Sequence, residues 1–165
     1  MYDAFLNLLS NKIVGESQKE SHTGEIDLIA FSWGTMNSTK VGTGTGTSTG
    51  KVRVQDFNVL KYIDRASPDL FQRSCDGTVL PTVEVTLQKQ QGDGEKLPYL
   101  HLTFNNAYIT SFQWNGSNGT SNDTPLEAIS FVFESCQVEY TQQRNDGTGQ
   151  DTLVGTWHIG QNAPL

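Results

Sequence analysis

Gly50-Lys51 closes a Gly/Thr run, and a glycine-rich loop followed by lysine is the pattern that cradles phosphate through backbone N–H groups. The match breaks twice: glycine is needed where Thr45 stands, and a Ser or Thr hydroxyl where Val52 stands. The residues after Lys51 alternate as a strand, so no helix N-terminus faces the would-be anion. The three histidines, His22, His101 and His158, have no Cys or His at metal-ligand spacing. A nucleophile–His–acid set is defined by geometry rather than chain order, so a small hydrolase using loop serines and these histidines stays open. No G-x-S-x-G elbow is present, and Gly116-Ser117-Asn118-Gly119 reads as a hairpin tip. Asn145 to Asp151 lacks the spacing and terminal Glu of a calcium loop. Asn37, Asn115, Asn118 and Asn122 head glycosylation-type triplets, which without a secretory signal read as polar loops. Cys75 and Cys136 are too few for a disulfide framework and fit small buried thiols. These residues leave catalysis unsupported, and no metal site is expected.

The elements around these residues are mostly strands. Val83, Val85 and Leu87 alternate with polar residues, as do Leu100, Leu102 and Phe104, and Gln91-Gly92-Asp93-Gly94-Glu95 between them is turn sequence. The pair predicts an antiparallel hairpin. Three segments change parity midway: Val54 to Phe57, Phe104 to Ile109, and Phe133 to Cys136. Each predicts a β-bulge, and long bulged strands predict a small β-barrel or orthogonal sandwich. The one good helix signal is Ser67-Pro68-Asp69, with Ser67 as N-cap and Gly77 as the stop, which predicts a short helix over residues 67–76. Leu70 and Phe71 are expected to dock it on the sheets.

Two stretches point away from a self-sufficient monomer. In Glu25–Gly34, Ile26, Leu28 and Ala30 take one face while Ile29, Phe31 and Trp33 take the other. A strand apolar on both faces needs a second cover, from a loop or from another subunit. Asn37-Ser38-Thr39-Lys40-Val41 then leads into Gly42-Thr43-Gly44-Thr45-Gly46-Thr47-Ser48-Thr49-Gly50, whose composition forms no core and predicts a flexible excursion between strands.

Length and charge bound the rest. The 165 residues fit one domain, 1–165, large enough for a core of its own. With 18 acidic against 11 basic residues the formal charge is −7, which argues against a sequence-independent nucleic-acid binder. No apolar run approaches a bilayer span, so no membrane insertion is expected. The start, Met1-Tyr2-Asp3-Ala4-Phe5-Leu6, lacks the basic and apolar regions of a secretory signal. Export is therefore expected to use another route.

In order along the chain, Gly15-Glu16-Ser17, Glu25-Ile26-Asp27, Ser32-Trp33-Gly34, Lys51-Val52-Arg53-Val54-Gln55-Asp56-Phe57, Lys61 to Leu70, Glu139-Tyr140-Thr141 and Trp157 resemble the hemolysin-coregulated (Hcp) family, the tube protein of bacterial type VI secretion. The resemblance implies a compact β-barrel with one helix, six copies closing into a ring, and rings stacking into a hollow exported tube. It implies contacts with sheath and spike proteins, small effector proteins carried in the lumen, assembly in the bacterial cytoplasm, and no enzymatic activity. It also places Asn37–Gly50 as a ring-stacking loop, while Ile29, Phe31 and Trp33 are candidates for subunit or core packing. A rival of another class is a sugar-binding β-sandwich using Trp114 and the loop at 115–119.

Overall fold

Period-two alternation becomes strand in both places where it is most regular. The computed structural model describes residues 2–39, 50–90, 96–117, 124–142 and 151–165, which hold eleven strands and one α-helix. In chain order these are β1 (Tyr2–Asn7), β2 (Ile26–Leu28), β3 (Ala30–Ser32), β4 (Thr35–Asn37), β5 (Val52–Val54), β6 (Phe57–Tyr62), α1 (Ser67–Asp76), β7 (Leu80–Gln90), β8 (Lys96–Asn115), β9 (Leu126–Val132), β10 (Ser135–Gln142) and β11 (Asp151–His158). β7 and β8 form the expected hairpin, with Val83, Val85 and Leu87 opposite Phe104, Leu102 and Leu100. The turn, 91–95, lies outside the described residues.

β8 is 20 residues long and serves two sheets. It pairs with β10 through Asn105 and with β7 through Ala107, and from Tyr108 onward with β9. Between the halves Asn106 takes a φ of 50°, in the left-handed region that Asn tolerates better than most residues. That one residue lets Phe104 and Ala107 both face the core, which is the predicted parity switch. The β7–β8 register runs unshifted from Asn105 to Ala107, so this switch is a backbone turn rather than a bulge, and the other two expected bulges are breaks. Gln55-Asp56 separates β5 from β6, and Phe133-Glu134 separates β9 from β10. At each break the chain passes into a different ladder, so parity resets without an extra residue inside a strand pair.

Pairing runs β2-β1-β7-β8-β9-β6-β3, with β10 branching from β8 and β11 from β10; among the described residues β4 and β5 pair only with each other. The result is mostly β and sandwich-like, and the ladders do not close into a barrel. Its end strands are successive pieces of one extended segment: β2 pairs with β1 and β3 with β6, with the hand-over at Ile29, whose N–H donates to Leu60 O at 2.8 Å. Leu6, Val85, Leu102 and Phe104 on one side meet Phe57, Val59, Ile129 and Phe131 on the other as the buried core.

α1 spans the expected residues, but Ser67 does not cap it. Ala66 holds the N-cap position without a side-chain bond, and Asp64 Oδ1 accepts the Ala66 N–H at 3.0 Å. The Ser67 hydroxyl is buried and accepts from Lys61 Nζ at 3.2 Å. Gly77, at φ 66°, ends the helix in the left-handed conformation. Its neighbour Asp76 accepts the Thr78 N–H at 2.8 Å, and bonds to Thr78 hold its carboxyl below the usual range.

The Gly15-Glu16-Ser17 segment is a tie. Gly15 N–H donates to Gly24 O at 2.7 Å, Ser17 N–H to Glu25 O at 3.0 Å, and Glu16 Oε1 accepts the Arg65 N–H at 3.1 Å. A Cβ on Gly15 would press on the Glu25 carbonyl oxygen and come within 2.7 Å of Ile26 Cγ1. Gly15→Ala is therefore expected to lower stability by about 1–3 kcal/mol, the range of overpacking, readable as a shift in urea midpoint; no shift would mean the loop relaxes freely.

Candidate assembly surface

Rows of residues cross the sheet at right angles to its strands. Ala4, Leu87, Leu100, Tyr140 and Leu153 are register partners from β1 to β11 and lie in one row on the apolar face. Ala4 and Leu87 are buried, Leu100 is half-buried, Tyr140 is exposed, and Leu153 is 66 % exposed. The apolar face thus runs past the edge of the core. Val154, on the opposite face of β11, is 57 % exposed. The β10–β11 ribbon therefore offers apolar surface on two faces at a sheet edge, the arrangement that marks an interaction surface. Sequence reading missed these two residues. Adjacent Leu153 and Val154 carry the same two-faced signal that singled out Glu25–Gly34, in a shorter run.

The residues of that earlier stretch divide. Phe31 stacks on Phe57, with ring centroids 6.0 Å apart, and Trp33 sets its edge on Phe104 at 5.2 Å and on Phe133 at 5.9 Å. Both are half-buried against their own protomer's core, so cover from within the protomer explains most of their surface. Ile29 alone faces out, 42 % exposed. The expected parity fails because the hand-over at Ile29 turns the strand between β2 and β3. Trp33 Nε1 also donates to Gln55 O at 3.1 Å, pinning the base of the β4–β5 hairpin.

That hairpin is the stem of the expected stacking loop. Asn37, Ser38, Thr39 and Gly50 are described and all but Gly50 are exposed; Lys40 to Thr49 lie outside the described residues. Of the two helix-docking candidates, Leu70 is fully buried. Phe71 is 50 % exposed and lies over the rings of Phe112, at 5.8 Å, and Trp114, at 6.3 Å. It docks the helix through its edge rather than from within the core.

Beneath the helix the core row changes character. Lys61 and Glu127 are register partners, and Glu127 in turn partners Trp114. Lys61 Nζ lies 3.0 Å from Glu127 Oε1 and 2.7 Å from Asp64 Oδ1, and donates to Tyr62 O at 2.9 Å. Glu127 Oε2 accepts from Trp114 Nε1 at 2.7 Å. A fully buried cation thus meets two carboxylates, and the pairing orients the Trp114 ring for Phe71.

His22 and His101 line one groove, while His158 lies apart from both. His22 is buried, stacked on Phe5, with Nδ1 at 2.8 Å from Glu25 Oε2 and Nε2 against Gln88. His158 Nε2 lies 3.3 Å from Glu134. His101 Nδ1 is 3.0 Å from Thr86 Oγ1, and its Nε2 is 3.7 Å from Glu84 Oε1. This last line has the order of a nucleophile, base and acid beside a groove of about 460 Å³ that also holds Ser21, Gln88 and Glu139. Its backbone is unsuited to acyl transfer. β7 and β8 are each paired on both sides here, so their N–H groups are committed to ladders and cannot form an oxyanion hole. Cys136 is buried, which pushes its thiol up, a shift partly offset by the Trp157 backbone N–H; Cys75 is exposed on α1. Among the described residues no three His, Cys, Asp or Glu side chains converge to hold a metal, and no helix is long and apolar enough to cross a membrane.

Comparison with known proteins gives these surfaces a setting. Residues 5–140 match the family model described as "Type VI secretion system effector, Hcp". Protein hcp1 of Pseudomonas aeruginosa is 34 % identical over 162 residues, covering 97 % of this chain and 96 % of that protein. Among solved structures, a type six secretion system protein superposes with a TM-score of 0.89 at 28 % identity over all of both chains. Hcp1 from Salmonella typhimurium gives a TM-score of 0.78 at 26 % identity, covering 99 % of each chain. A type VI secretion system effector from Yersinia pestis gives 0.75 at 27 % identity, covering 95 % of this chain and all of that one.

Proposed function

Because the chain belongs to the Hcp family of type VI secretion proteins, we propose that it is the structural subunit of a hollow exported tube, built from six-membered rings of itself. The observation that carries this reading is the uncovered apolar ribbon at β10–β11, with Leu153 and Val154 exposed on opposite faces. Among the described residues nothing lies over it, and a second copy supplies a cover. Head-to-tail contact between two different surfaces closes into a ring when the rotation between neighbours allows. In the stacked tube Asn37–Gly50 reaches the next ring, the lumen carries small effector proteins, and sheath and spike proteins are the outer and terminal partners. Assembly takes place in the bacterial cytoplasm and precedes export. The role is mechanical, without catalysis or cofactor.

The carbohydrate-binding alternative asks Trp114 to offer an open ring face. Here Phe71 stacks against it and Glu127 holds its indole nitrogen, which favours a structural role for that side chain.

Native mass spectrometry with negative-stain microscopy tests the assembly. A particle of about six subunits with a central hole is expected, and added salt should promote ring stacking by screening the acidic copies from one another. A clean monomer at micromolar concentration would overturn the reading.

A further inference from the structure

Accepting that copies of this chain meet in a ring, the backbone of β11 indicates which edge they use. In an antiparallel strand a residue's N–H and C=O point to the same side, and its neighbours' to the other. His158 N–H donates to Ala163 O at 2.7 Å, on the outer side, whereas Ile159 N–H donates to Glu134 O at 2.9 Å, on the β10 side. Counting by twos from His158 toward the start of the strand, Thr156, Val154 and Thr152 direct their backbone groups away from β10. The C-terminal tail shields only the far end, where Ala163 bridges His158 and Leu165 N–H donates to Thr156 Oγ1 at 3.0 Å. Over Thr152 to Gly155 no ladder occupies the outer edge among the described residues. The usual guards are missing as well: β11 contains no Lys, no Pro and no register shift. An edge this open, apolar on both faces, is an aggregation hazard unless a specific strand occupies it.

The same chain has a ribbon in search of a sheet. Among the described residues β4 and β5 pair only with each other, and a two-stranded ribbon is marginal in water. Met36 on β4 is 60 % exposed. Arg53 on β5 and Lys51 just before it are exposed too and share one face, opposite in charge to Glu139, which shares the Val154 face of the β10–β11 ribbon.

We propose that the β4–β5 hairpin of a second copy adds to the outer edge of β11, hydrogen-bonding at Thr152 and Val154, with its basic face on the side of Val154 and Glu139. The contact is head-to-tail by construction, since it joins two different edges.

Val154→Pro is the direct test, made in the full chain and compared with Val154→Ala. Proline removes only an outward N–H, which edge strands tolerate, so the protomer should keep its circular dichroism spectrum. Association should weaken about tenfold or more, as expected when a buried interfacial acceptor loses its donor. Val154→Ala keeps the donor and should still assemble. Arg53→Glu, on the other partner surface, should weaken assembly without touching β11, and serves if the proline variant fails to fold. In assembled wild-type protein the Thr152 and Val154 amides should be protected from hydrogen exchange. Normal rings from Val154→Pro or from Arg53→Glu, or free exchange at Thr152 within wild-type rings, would overturn edge pairing and leave the ring reading standing. A two-subunit particle would replace it with β11–β11 pairing, and a wild-type monomer would remove the ring reading itself.

Discussion

Lys61→Ala should be among the most damaging single substitutions in this chain, costing about 3–5 kcal/mol, the range for removing one partner of a buried ion pair. Lys61 and Glu127 are both fully buried, and Asp64 leans on the same ammonium. Without it two carboxylates face each other in low dielectric, and the Tyr62 carbonyl and Ser67 hydroxyl lose a donor. The start of α1 should loosen, because Asp64 and Ser67 organise that corner. With a urea m-value of about 1–3 kcal/mol per molar, the midpoint should fall by about 1 M or more. The double replacement Lys61→Met with Glu127→Leu should recover much of the loss, since a buried pair replaced by apolar residues is often neutral. A midpoint shift below about 0.3 M for Lys61→Ala would mean that water reaches the pair and that the cluster is not a structural pin.

Phe104→Ala is expected to rank beside it, at about 3–5 kcal/mol. Phe104 is fully buried at the centre of an aromatic cluster, with ring centroids 4.5 Å from Phe133, 4.8 Å from Phe57 and 5.2 Å from Trp33. Its loss opens a cavity where the two halves of the sandwich meet and takes away the surface on which Trp33 rests. At about 2–4 °C per kcal/mol for a domain of this size, the melting temperature should drop by roughly 6–20 °C. Wild type and variant must be compared at equal protomer concentration, because assembly stabilises by mass action. Trp33 should also become more solvent-exposed, moving tryptophan fluorescence to longer wavelength. A small thermal shift with unchanged fluorescence would show that the neighbouring rings collapse into the gap.

Both substitutions fall in positions of very different legibility. Phe104 sits in a clean alternation and could be placed in the core from the chain alone. Lys61 has the inward parity of Phe57 and Val59, yet a lysine at an inward position carries no signal of burial until its carboxylates are located. Those come from Asp64, nearby in sequence, and from Glu127, a register partner on β9. Helix docking shows the same divide. Leu70 is fully buried, whereas the place of Phe71 depends on which rings β8 presents after its register shift between Ile109 and Ser111.

Periodicity, turn chemistry and the order of short motifs were enough to establish a mostly β chain, its β7–β8 hairpin, the span of its one helix and its likeness to Hcp proteins. These are local properties, set by which residues share a face and where glycine or proline interrupts. Tertiary structure alone decided that two parity changes are sheet crossings rather than bulges, that Phe31 and Trp33 turn inward while Ile29 does not, and that the apolar row ends uncovered on β11. Each depends on which strand lies beside which, and pairing across the chain is set by the packing of the whole core.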